Sequence, residues 1–93
     1  MYVISYDIVS DRLRNNIDKT LKGYGNRVQY SVFECKLSEK QYEKLYVKLK
    51  ELMKNSKEDT IRIYRICKNC EDNLTILGTE KIEKWEEKDV IVL

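Results

Sequence analysis

The 93-residue sequence has no histidine, no proline, three glycines and no long apolar run. Without histidine there is no Ser-His or Cys-His nucleophile arrangement, the commonest general base is missing, and most zinc sites are excluded. Any catalysis therefore falls to carboxylates and a metal. No stretch approaches the roughly 20 apolar residues that span a bilayer, and Met1 leads into a strand pattern instead of a charged n-region with an h-region. The expected location is cytoplasmic, with no membrane partner. The cysteines number three, Cys35, Cys67 and Cys70, and zinc normally takes four ligands. A redox C-x-x-C heads a helix after an early strand, whereas Cys67-Lys-Asn-Cys70 reads as a loop after the fourth strand, which predicts ordinary reduced cysteines.

What is present is a folded composition, 42% hydrophobic and 37% charged. The length fits one domain with a modest core, burying roughly two-thirds of the unfolded surface, and small cores often gain support from a partner. A formal charge of +2 is too mild to announce a nucleic-acid binder by itself, so the distribution of charge has to be read.

Residues 2–8 alternate, with Tyr2, Ile4, Tyr6 and Ile8 on one face and Val3, Ser5 and Asp7 on the other. Ser10 or Asp11 then caps a helix of about 14 residues whose stripe is Leu13, Ile17, Leu21 and Tyr24. The run "RVQYSVFECKL" at 27–37 is long for one strand, which predicts a break near Tyr30 and Ser31 and a second strand with Phe33, Cys35 and Leu37 on one face. "SEKQ" at 38–41 fits a capping box, and Tyr42, Leu45, Tyr46, Leu49, Leu52 and Met53 follow helical spacing to about residue 54. "TIRIYRIC" reads as a fourth strand with Ile61 and Ile63 opposite Arg62, Tyr64 and Ile66. Beyond it, "KNCEDN" reads as a loop, "LTILG" as a short strand, 79–89 as a charged stretch around Trp85, and "VIVL" as a final apolar run.

The order strand, helix, strand, strand, helix, strand predicts an α+β, ferredoxin-like βαββαβ domain over 1–78, with two helices on one face of an antiparallel sheet. Residues 79–93 are expected to be an extension contributing to a homodimer, since a terminal apolar run can pair with a sheet edge.

In this arrangement Asp7 stands on the open face. A carboxylate at a strand end before a helix commonly serves as a turn or capping residue. If two chains met at the open face, however, two Asp7 groups would approach each other and would call for a cation or a proton between them. A hard cation such as Mg²⁺, held by carboxylates and retaining waters, is the usual means of activating water against a phosphodiester. Arg12, Arg14, Lys19, Lys22 and Arg27 suit phosphate contact, though a solvated helix face explains such residues equally well. Phe33 fits a core or interface position better than a base-stacking one, because "QYSVFEC" lacks the glycines of the RRM segment.

"YVISYDI", followed by "RLRNNIDKTLKGYGNRVQYSVFEC", resembles the small CRISPR-associated "Cas two" family through most of the first 37 residues. The resemblance implies a homodimer with a Mg²⁺- or Mn²⁺-dependent phosphodiesterase activity, on single-stranded RNA or double-stranded DNA, the ion being shared between protomers. It implies as an alternative a non-catalytic adaptor that grips duplex DNA and bridges the larger spacer integrase during CRISPR spacer acquisition and antiviral defence. On this resemblance Asp7 is the metal-binding and catalytic aspartate and Tyr6 the residue before it. Arg14 or Arg12 is the basic position of the first helix, Arg27 opens the second β run, and Ser31 and Phe33 belong to its "SVFE" segment. Lys19 joins the expected nucleic-acid contacts.

Overall fold

The computed structural model describes residues 1–78; the expected extension 79–93 lies outside the described residues. The elements are β1 (Tyr2–Asp7), α1 (Asp11–Lys22), β2 (Asn26–Gln29), β3 (Val32–Cys35), α2 (Glu39–Met53), β4 (Thr60–Arg65) and α3 (Lys68–Asp72). The four strands form one sheet in the order β2-β3-β1-β4, with every neighbouring pair antiparallel. This is the ferredoxin-like α+β fold, and the expected break in the second β run falls at Tyr30 and Ser31, between β2 and β3.

Alternation decides which face of the sheet is covered. Tyr2, Ile4, Tyr6 and Ile8 are buried together with Phe33 and Cys35 of β3, Ile17 and Leu21 of α1, and Leu45 and Leu49 of α2. Each fully buried aliphatic or aromatic side chain contributes about 1.5–3 kcal/mol, so this one layer carries most of the folding energy. The other face, with Val3, Ser5 and Asp7, is left uncovered by the helices.

The helices begin where their caps allow. Ser10 Oγ accepts the Leu13 N–H at 3.2 Å, and Ser38 and Gln41 form the reciprocal capping box. Gly25 lets the turn after α1 pass against β3: a methyl group there would overlap Cys35 Sγ and the Glu34 carbonyl oxygen.

Two expectations are corrected. "KNCEDN" is not a loop, because residues 68–72 form α3. Cys67 caps it, the Glu71 N–H donates to the Cys67 carbonyl at 2.9 Å, and Lys68 pairs with Asp72 at 3.4 Å, one turn away. At the other end the Asn73 side chain donates to the Asn69 carbonyl at 2.8 Å, so the single helical turn is closed at both ends. Nor is "LTILG" a strand: residues 74–78 join no sheet among the described residues, and Leu77 is 86% exposed.

Candidate functional site

Asp7 is the last residue of β1 and is exposed on the uncovered face. Its backbone is fixed from several sides. Within the sheet Asp7 pairs with Thr60, and the preceding Tyr6 N–H donates to the Ser31 carbonyl at 3.1 Å. After it, the Ile8 carbonyl accepts from the Arg14 guanidinium at 2.9 Å, and the Val9 N–H donates to Asp59 Oδ1 at 2.7 Å. The other Asp59 oxygen accepts from the Ser56 hydroxyl at 2.7 Å. The Val9 N–H, and then Ser56, hold the Asp59 carboxyl below the ordinary carboxylate range, so it is a charged anchor at neutral pH. Among the described residues the Asp7 carboxylate has no bonded partner, and it stands on a fixed base.

Opposite residues of an antiparallel pair share a face, so the register identifies Asp7's neighbours. Asp7 lies opposite Thr60, Ser5 lies between Arg62 and Val32, and Val3 lies between Tyr64 and Glu34. Arg62 is exposed and stands two positions along β4 from Thr60, roughly 7 Å at strand spacing. Sequence reading did not include it among the site residues, although the alternation of "TIRIYR" had already placed it on that face.

The expected basic residues divide into two groups. Arg12 and Lys19 are exposed on α1 and enter no ion pair among the described residues. They are two turns apart, about 10 Å along the helix, and α1 packs on the face opposite Asp7, so they do not all gather at its end of the sheet. Arg14 folds back onto the Ile8 carbonyl and pairs with Asp11. Arg27 pairs with Asp18 at 3.1 Å, stacks over the Phe33 ring at 5.0 Å and donates to the Tyr30 carbonyl. Arg27 lies opposite Phe33, so β2 turns its side chain to the covered side, where it meets the Asp18 carboxylate.

Tyr6 also points to the covered side and donates its hydroxyl to Asp18. Burial, reinforced by the hydrogen bond and charge of Asp18, pushes the phenol up to about 12. Tyr6, Asp18 and Arg27 therefore form one polar tie between β1, α1 and β2 beneath the sheet. Phe33 is fully buried beside them, and Ser31 contributes its carbonyl to the Tyr6 amide. Tyr6 and Phe33 thus lie behind the strand that carries Asp7, and Ser31 is bonded to that strand at its edge. Asp18 and Asp59 were missed, and only the Ser-x-x-Asp turn pattern at 56–59 offered a signal for the second.

Among the described residues no group of three or more Cys, Asp or Glu side chains gathers to hold a metal ion. No helix among the described residues is long and apolar enough to cross a membrane.

Fold and site together define a small ferredoxin-like domain that presents one carboxylate at a strand end on an uncovered sheet face. The chain belongs to the family described as CRISPR associated protein Cas2, whose model matches residues 1–74. It is 48% identical over 77 residues to CRISPR-associated endoribonuclease Cas2 1 of Chloroflexus aurantiacus, the match covering 83% of either chain. Among solved structures, it is similar to a hypothetical protein from Thermus thermophilus, with a TM-score of 0.72 and 35% identity over 87% of this chain and 93% of that one. It is similar also to a chain of a partial Cas6-RT-Cas1–Cas2 complex, with a TM-score of 0.70 and 31% identity over 81% of each chain.

Proposed function

We propose that two copies of this chain pair through the uncovered sheet face and cleave phosphodiester bonds, with the two Asp7 carboxylates sharing one Mg²⁺ or Mn²⁺. The observation that carries this reading is the exposed Asp7 carboxylate on a backbone held by Thr60, Ser31, Arg14 and Asp59. Mg²⁺ is commonly held by one or two carboxylates together with waters and substrate phosphate, a set that Asp7 and Asp7 of the partner subunit would supply. When bound, the ion would supply charge neutralisation at the phosphoryl group and acidify an attacking water. Asp7 orients that assembly against the strand end. Arg62, on the same face, neutralises the nucleic-acid backbone, and Arg12 and Lys19 extend the contact along α1. Arg14, Arg27, Tyr6, Ser31 and Phe33 act behind the site by fixing β1 and the turn after it. The names of the curated relatives favour RNA as substrate.

The test is Asp7→Asn, assayed on single-stranded RNA and on duplex DNA across a Mg²⁺ and Mn²⁺ titration. Removing several kcal/mol of charge stabilisation lowers the rate by roughly a hundredfold or more. The melting curve and nucleic-acid affinity should change little. Unaltered cleavage by the purified variant would sink this reading.

A second reading has its own observation, the likeness to a chain within an assembly named for Cas1 and Cas2. The dimer then grips duplex DNA through Arg12 and Lys19 and docks the spacer integrase, and Asp7→Asn leaves spacer acquisition intact. Charge reversal at Arg12 and Lys19 should abolish acquisition. Acquisition that survives this reversal contradicts the adaptor reading.

A further inference from the structure

The Cys67-Lys-Asn-Cys70 segment plays no part in the proposed cleavage, and its setting differs from what the sequence suggests. The segment opens α3, with Cys67 as the cap and Cys70 one turn on. Cys67 Sγ takes the acceptor position usually filled by Ser, Asn or Asp, receiving the Cys70 N–H at 3.4 Å. Both cysteines are exposed. Residues three apart on a helical turn bring their Cβ atoms to about 5–6 Å, and a disulfide needs about 3.5–4.5 Å. Cys67 is the extended cap residue, at φ −71° and ψ 163°, and its Sγ reaches to 3.4 Å from the Cys70 nitrogen, on the side of the partner thiol's own residue.

We propose that Cys67 and Cys70 form a thiol–disulfide exchange centre whose substrate is a small disulfide. Cys67 releases its proton, and its thiolate attacks one sulfur of the disulfide, forming a mixed disulfide and expelling one thiolate, which takes up the proton that Cys67 released. Cys70 then loses its proton and attacks Cys67 Sγ, which releases the second thiolate; that thiolate takes up the proton. The pair of protein thiols is oxidised by two electrons, and the small disulfide is reduced to two thiols.

The roles follow from the contacts. The Cys70 N–H, 3.4 Å from Cys67 Sγ, lowers the Cys67 thiol below its ordinary value, while the nearby Cys67 sulfur raises Cys70. Cys67 is therefore the attacking group and Cys70 the resolving one. Cys35 is an internal control: it is fully buried, and burial pushes it up to about 11.

The experiment uses the full chain and glutathione disulfide, with thiol trapping and intact-mass measurement over time. The wild type should lose a pair of hydrogens and both external trapping sites while remaining a single chain. Cys70→Ser should retain one glutathione on Cys67. Cys67→Ser keeps a good capping oxygen and should react more slowly than Cys70→Ser, by a factor of roughly three for each tenfold difference in thiolate fraction. Equal rates for the two variants, or a wild type that accumulates glutathione adducts without the internal disulfide, would overturn the proposal.

Discussion

The informative side chains divide by which way they point from β1. Asp7 faces outward and has no bonded partner among the described residues, whereas its neighbour Tyr6 faces inward and is bonded to Asp18, which is paired in turn with Arg27. The consequence can be read from a pH series. The folded chain holds the Tyr6 proton up to about 12, whereas an unfolded chain releases it near the ordinary 10. Stability should therefore fall as pH rises from about 10 through about 12, and Tyr6→Phe should lack that contribution. At neutral pH the variant loses one hydrogen bond, about 1 kcal/mol. Urea midpoints of both proteins at about pH 9 and about pH 11 measure this, and the gap between them should narrow at the higher pH. Asp7 was legible from sequence because alternation alone gives its face. Asp18 and Asp59 were not, because a helical Asp and a loop Asp acquire roles only when Arg27 and Val9 are brought to them from distant positions.

At the scale of elements, the four strands and two long helices follow from periodicity and caps: Leu45 and Leu49 mark one helical stripe, and Ser38 with Gln41 marks where it starts. What periodicity could not reveal is the tertiary role of Gly25. The space it leaves is taken by Cys35 and the Glu34 carbonyl of the adjoining strand. Gly25→Ala should force β2 and β3 apart at a cost of about 1–3 kcal/mol, typical of overpacking. That corresponds to a melting temperature lower by roughly 4–8 °C for each kcal/mol. The short α3 was misread for a related reason: a five-residue helix has no stripe to detect, and is recognised by its closing hydrogen bonds.

At the scale of the whole molecule, charge is arranged on two sides of one sheet. Arg62 accompanies Asp7 on the uncovered face, and Arg12 and Lys19 lie on the helix across the sheet. A nucleic acid that contacts both sides must wrap around an edge or meet two copies. Binding should weaken steeply with salt, and each basic residue replaced by Ala that had contacted a phosphate lowers the slope by about 0.9 on duplex DNA and about 0.7 on a single strand. Affinities of the wild type, Arg62→Ala and Arg12→Ala/Lys19→Ala over a salt series separate the two faces. A face whose variant leaves the slope unchanged makes no phosphate contact.

The buried Cys35 offers a clock for the molecule's own opening. Its thiol lies in the layer that holds β1 and β3 against α1, so an alkylating reagent reaches it only when that layer separates. With Cys67 and Cys70 replaced by Ser, the rate at which Cys35 is labelled under native conditions, divided by the rate for an unprotected thiol, gives the fraction of time the core stands open. Gly25→Ala, which presses on this same sulfur, should make the clock run faster.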